Sequence, residues 1–296
     1  MSGQRPIYAL TLRLLAGIVL STVFMLTKLA HKIGIPFAEI LFWRQAFTLP
    51  LLLVWMVLAG RLDLLVTARP GAQATRAVYG TIGMVFNFGA PILLPLAVST
   101  TLGFTAPIFA VVLSALVLRE HVGPWRWSAV ALGFTGVLVI AHPGSLHVST
   151  FGALVGIMAG LMVAVVSIQL RQLGRTEPPI TTVFYFALFS SVMLAPALPF
   201  TMVRHDLLQW AVLFGLGALG TLAQWLLTAA LRYGAVASVM VMDYAQLIWS
   251  TAYGWLIFAQ LPPATTWLGA PLVVAAGVII AWREHRLGKF QPAQAG

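Results

Sequence analysis

The sequence predicts an all-α membrane protein of ten transmembrane helices, arranged as two inverted repeats of five. Three observations carry this: a composition too apolar for water, ten separable apolar runs, and a self-similarity at an offset of about 140 residues. Of 296 residues, 60% are hydrophobic and 8% charged, and the mean hydropathy is +0.95. Soluble domains carry about 25% charged residues, so a soluble enzyme is excluded first. A span consumes about 20 apolar residues. Ten spans take roughly 200, which leaves loops too short for a catalytic or nucleotide-binding domain.

The runs cover 8–27, 36–58, 76–94, 98–118, 125–141, 151–172, 181–202, 207–230, 236–258 and 265–282. The first follows a basic flank but has no convincing small-residue cleavage site, so it reads as a span rather than a signal peptide. The joins hold breakers and charges: GRLDLLVTARPG, REHVGP, HPGS, GRTEPP and QLPP. Runs three and four are divided only by Pro91, Pro95 and Ser99. Pro91, Pro95 and Pro107 are candidate gating hinges, with simple curvature as the alternative. Trp55, Trp125, Trp210 and Trp282 lie near run ends, as an interfacial belt would.

Lys and Arg outnumber Asp and Glu by 17 to 7. With ten spans, one face collects Arg5, Arg61, Arg69, Arg76, Arg119, Arg126, Arg171, Arg175, Arg232, Arg283, Arg286 and Lys289. Arg13 lies close enough to snorkel towards that face. The opposite face holds only Lys28, Lys32 and Arg204. The asymmetry orients both termini to the cytoplasm of a multi-pass inner-membrane protein and makes nucleic acid an unneeded partner.

At the 140-residue offset, Ala97 pairs with Ala237, Phe104 with Tyr244, Glu120 with Gln260 and Trp127 with Trp267. Gly136-Val137 faces Gly277-Val278 one insertion later. The chain divides into a first five-helix repeat over 1–145, a second over 146–285 and a cytoplasmic tail over 286–296. An odd number of spans per unit inverts the second copy. Arg119 and Arg126 become Ala259 and Thr266, as expected for a loop moved to the other face.

Two segments, LREHVGPWRWSAVALGFTGVLVIAHPG at 118–144 and MDYAQLIWSTAYGWLIFAQLPPATTWLGAPLVVAAGVIIAWRE at 242–284, resemble the end-of-repeat pattern of the drug/metabolite transporter superfamily. The likeness is to its EamA-type ten-span members: a bulky residue, Glu, a short turn, then a Gly-rich helix ending in Gly-Val. Asp243-Tyr244 and the Glu120-His121 turn resemble a subgroup with uptake carriers for S-adenosylmethionine or riboflavin. Gln260 departs from the pattern, standing where the second repeat usually has Glu. The resemblance implies a central cavity lined by spans 1, 3, 4, 6, 8 and 9, with spans 5 and 10 peripheral.

Charge near a bilayer centre costs roughly 2.5–3.5 kcal/mol even on a lenient scale, so it should face protein or water. Arg44 and Asp243 are the clear cases, and Glu39 starts span two near the outer face. At a rise of about 1.5 Å per residue, Arg44 lies roughly 4–5 Å outside the midplane and Asp243 about 6 Å on the cytoplasmic side. Asp243 reads as a proton-coupling carboxylate, a counter-ion for a cationic substrate, or a partner of Arg44 for stability. Arg44 is read first as a residue that pins one helix to another and Glu39 first as interfacial, and with Asp243 both are candidate coupling or ion-pair residues. Asp243, Gln246, Ser250 and Tyr253 share one helical face. With Tyr244, Trp249, Asn87, Phe104, Gln224 and Trp225 they form a candidate lining for a substrate with apolar and polar parts. The alternative is interhelical glue.

No P-loop, metal spacing or hydrolytic triad occurs, and no cofactor or metal is expected. The function read from the sequence is secondary transport of a small organic metabolite, amphipathic and of cationic or aromatic character, by alternating access. Protons are the candidate coupling ion, and the protein is a monomer or homodimer in the bilayer. Its rivals are a proton-coupled exporter of amino acids or toxic amphiphiles, and a non-transporting scaffold or lipid-handling protein.

Overall fold

The computed structural model describes residues 6–116, 123–140, 149–233 and 241–289, and every regular element among them is helical. Helices α1 (Pro6–Lys32), α2 (Phe37–Ala46), α3 (Thr48–Leu58), α4 (Pro70–Leu93), α5 (Leu96–Gly103), α6 (Ala106–Leu116) and α7 (Pro124–Ile140) occupy the first half. The second half holds α8 (Thr150–Leu173), α9 (Pro179–Leu194), α10 (Leu198–Thr201), α11 (Leu207–Tyr233), α12 (Gln246–Phe258) and α13 (Ala264–Lys289). Among the described residues, six helical stretches are long and apolar enough to cross a membrane, from Ile7–Lys32 to Leu207–Ala230. Trp127–Ile140 and Ala264–Ile280 are shorter apolar helices.

Prolines explain where the helices restart. A proline is tolerated in a first turn, where its missing N–H has no partner to lose. Pro50 and Pro107 stand in the first turns of α3 and α6, so runs two and four each break into two helices, at Phe47 and at Phe104–Thr105. Pro95 precedes α5, Pro107 sits in the first turn of α6, and of the three candidate hinges only Pro91 lies past the first turn of a helix. Run nine enters through a 3₁₀ turn, Val241–Ala245, before α12. The Arg119-Glu120-His121 turn, residues 236–240 and the end of the tail lie outside the described residues.

Pro70 opens α4 six residues before the sequence reading began that span. Arg76 is thereby carried about 9 Å into the helix, where it is 2% exposed rather than facing solvent. This corrects its assignment to the interface. Trp210, half-buried in the first turn of α11, stacks edge-on against Trp43 and Phe47.

Helix α1 packs along α11, α4 along α8, α5 against α12, and α7 along α13. The α7–α13 pair approaches closely because Gly136 and Gly269 face one another; a Cβ on Gly269 would sit 2.6 Å from the Gly136 carbonyl oxygen. The main apolar core gathers side chains of α1, α2, α4, α9 and α11, with Ile40, Leu213 and Leu216 fully buried.

Candidate functional site

Two adjoining cavities of about 140 and 130 Å³ lie where α1, α4, α8 and α11 meet. Arg13, Asn87, Val163 and Leu227 line both. The first extends to α5, α6, α12 and the 3₁₀ turn; the second reaches α2 and α9.

The first cavity is closed on one side by a bidentate pair. Arg13 Nε and Nη2 donate to the two carboxylate oxygens of Asp243, each at 2.5 Å. A fork-to-fork arginine–carboxylate pair is the strong form of this contact. It corrects two expectations at once: Arg13 does not snorkel away, and Asp243 does not pair with Arg44. Depth supplies the reason. Arg13 lies about 9 Å on the N-terminal side of the middle of its helix, close to the level expected for Asp243, whereas Arg44 is expected at a different level. That comparison was available from the sequence.

Tyr244, Gln246, Asn87 and Phe104 line the same cavity, as expected. The Tyr244 and Phe104 rings meet edge-to-face with centroids 4.9 Å apart. The rest of the polar face on run nine is occupied between helices. Thr100 donates to Ser250 at 2.7 Å, and the Thr22 and Tyr253 hydroxyls pair at 3.0 Å. Trp249, 38% exposed, and Trp225, packed in the α1–α11 cluster, line neither cavity. Both expectations are corrected. The tight turn before Gln246 rotates Ile248 and Trp249 outward.

Gln224, Arg44 and Arg76 line the second cavity. Arg44 Nη1 donates to Gln45 Oε1 at 2.9 Å and contacts Met84 Sδ, while its guanidinium lies 4.5 Å from the Phe88 ring centre. Arg76 lies 4.1 Å over Phe186. Two glycines make room for these side chains: a Cβ on Gly80 would strike Arg76, and one on Gly220 would stand 2.9 Å from Arg44 Nε. Arg44 Nε and Arg76 Nε and Nη1 are buried without a hydrogen-bond partner, and neither arginine has an acidic neighbour among the described residues.

Glu39 stands apart from both cavities. It is fully buried, accepting hydrogen bonds from Val203 N at 2.9 Å and meeting His205 Nε2 at 2.6 Å. It ties the first turn of α2 to the segment before α11. Lys28, at the far end of α1 from Arg13, donates to Leu94 O and to Gln260 Oε1. Gln260, the departure noted in the sequence, is thus an acceptor that needs no negative charge. On the loops near α9, Glu177 accepts from Thr67 Oγ1 and Ala68 N, and Thr181 donates to Leu64 O.

The model of the EamA-like transporter family matches the chain twice, over residues 7–142 and 150–282. A riboflavin transporter of Rhizobium johnstonii is 32% identical, over 92% of this chain and 90% of its own. A pseudopaline exporter of Pseudomonas aeruginosa is 29% identical, over 91% and 94%. An S-adenosylmethionine uptake transporter of Rickettsia bellii is 27% identical, over 84% of each chain. A solved structure shares the fold at a TM-score of 0.64 and 18% identity, covering 93% of this chain and 98% of its own.

Proposed function

The chain belongs to the EamA-like transporter family, a multi-pass membrane protein and not an enzyme, and we propose on that premise that it is a secondary transporter of a small organic metabolite across the inner membrane. The observation that carries the proposal is a part-enclosed cavity, mostly apolar but holding Arg13, Asn87 and Asp243, whose walls come from both family-matched halves. A scaffold or lipid-handling protein has no use for a buried carboxylate facing such a space.

Two inverted five-helix halves rock about this site. The packing supports a pseudo-twofold relation: exchanging each span with its counterpart 140 residues on turns the α1–α11 contact into the α4–α8 contact and returns α7–α13 to itself. Polar links join the halves at several levels, among them Lys28 to Gln260, Arg13 to Asp243, Thr100 to Ser250, and Thr67 and Ala68 to Glu177. Polar links of this kind open by exchanging partners with water or solute, whereas an apolar seam must expose its area. Asp243 is the candidate coupling group. Its protonation removes the charge that holds Arg13 and shifts the balance between the two arrangements. Relatives named for uptake and for export match over most of this chain, so the direction of flux belongs to the gradient rather than to the scaffold.

Transport by purified protein in liposomes tests this reading. Asp243→Asn is expected to lower solute flux at least 100-fold, and the double variant Arg13→Gln/Asp243→Asn to fold normally and still not transport. Wild-type flux in the folded double variant refutes the coupling role.

A further inference from the structure

Resting on the transporter reading, we propose that the second cavity is an oxyanion site, and that the solute carries a carboxylate or phosphate held between Arg44 and Arg76. The two guanidiniums enter from different helices, α2 and α4, and line one space. Arg44 is 3% exposed and Arg76 2%, so neither charge is dissipated in water. Three of their N–H-bearing nitrogens lack any acceptor, although buried polar groups are almost always paired. The cation–π contacts to Phe88 and Phe186 hold the guanidiniums in place but accept no hydrogen bond.

Like charges in one low-dielectric space repel unless something negative lies between them. Arg13 cannot share its counter-ion, because Asp243 is already engaged through both oxygens. Across the two cavities, three arginines and one aspartate leave a formal charge of +2. Planar, forked donors match carboxylate and phosphate oxygens two at a time, which a lysine pair would not. The acceptors are therefore supplied by the solute. Asn87, common to both cavities, and Gln224 add neutral hydrogen-bonding groups for the remainder of the molecule. The same lining opposes a cationic solute, reversing one of the substrate characters expected from sequence.

Thermal unfolding of the full chain in nanodiscs tests the proposal, with succinate, glycerol 3-phosphate, choline and the neutral succinamide as probes. A ligand that binds the folded form raises Tm by mass action. Succinate or glycerol 3-phosphate is expected to raise Tm by several degrees, and which one does so separates carboxylate from phosphate. Arg44→Gln and Arg76→Gln should each weaken that anion at least tenfold, while their ligand-free Tm stays level or rises because an uncompensated charge has gone. Arg61→Gln, on an exposed loop, should keep the full shift. An equal shift with succinamide or choline, silence with both anions, an undiminished shift in the arginine variants, or a lower ligand-free Tm in both of them overturns the site. Liposome flux separates the two readings. An anion shift without flux of any probe defeats transport and leaves the site standing; flux of choline or succinamide that survives both arginine variants does the reverse.

Discussion

Helices α7 and α13 and the centre where α1, α4 and α11 meet are built mostly from the same apolar residues, yet different forces hold them. The α7–α13 seam is small residues and branched side chains, with Val130, Ala276 and Ile280 buried together and Gly136 against Gly269. It contributes nothing to either cavity. The centre carries Arg13, Arg44, Arg76 and Asp243 away from water. Lipid tails are as apolar as leucine, so a seam inside a membrane gains from close backbone approach and dispersion rather than from leaving water. Burying charge has no such return, and desolvation is repaid only by a partner. The seam can therefore be permanent, while the centre remains dependent on what occupies it.

The largest expected effect breaks the centre. Asp243→Asn leaves Arg13 buried without its counter-ion and should lower stability by about 3–5 kcal/mol; adding Arg13→Gln should restore most of it. Denaturation of the three variants reads the cycle, and a double variant no more stable than Asp243→Asn alone would show that the pair is not the source. A smaller effect is expected at the seam. Gly136→Leu forces a side chain against the Gly269 backbone and should cost about 1–3 kcal/mol, with flux per folded molecule unchanged. A flux defect larger than the loss of folded protein would mean that the seam moves during transport. The smallest is Ser250→Ala, which removes the acceptor for Thr100. A hydrogen bond between membrane helices averages about 0.6 kcal/mol, so its melting curve should move little; a loss several times larger would place α5–α12 with the centre rather than with the seam.

The helical class and the existence of the apolar runs could be read from the chain because crossing a bilayer imposes length and apolarity locally, run by run; their ends could not, as α4 shows by starting at Pro70. The candidate lining was partly legible too: Asp243, Tyr244, Gln246, Asn87, Phe104, Gln224 and Arg44 do line the cavities. Trp249 lies outside the two cavities because run nine begins with a 3₁₀ turn that resets the helical face, and Trp225 because α11 turns it into the contact with α1. Arg76 was missed because the span was started at the charge itself; Pro70, a good first residue of a helix, was the signal that it begins earlier.

What the amino-acid order alone determined is a chain too apolar for water, divided into helices and carrying a handful of charges inside them, because each of these properties is local. What only the tertiary structure decided is which charge answers which. Arg13 meets Asp243 across 230 positions, while Arg44 and Arg76 line one cavity and, among the described residues, pair with no carboxylate. Partnership depends on helix rotation and on the room left by Gly80 and Gly220, quantities set by packing between distant segments.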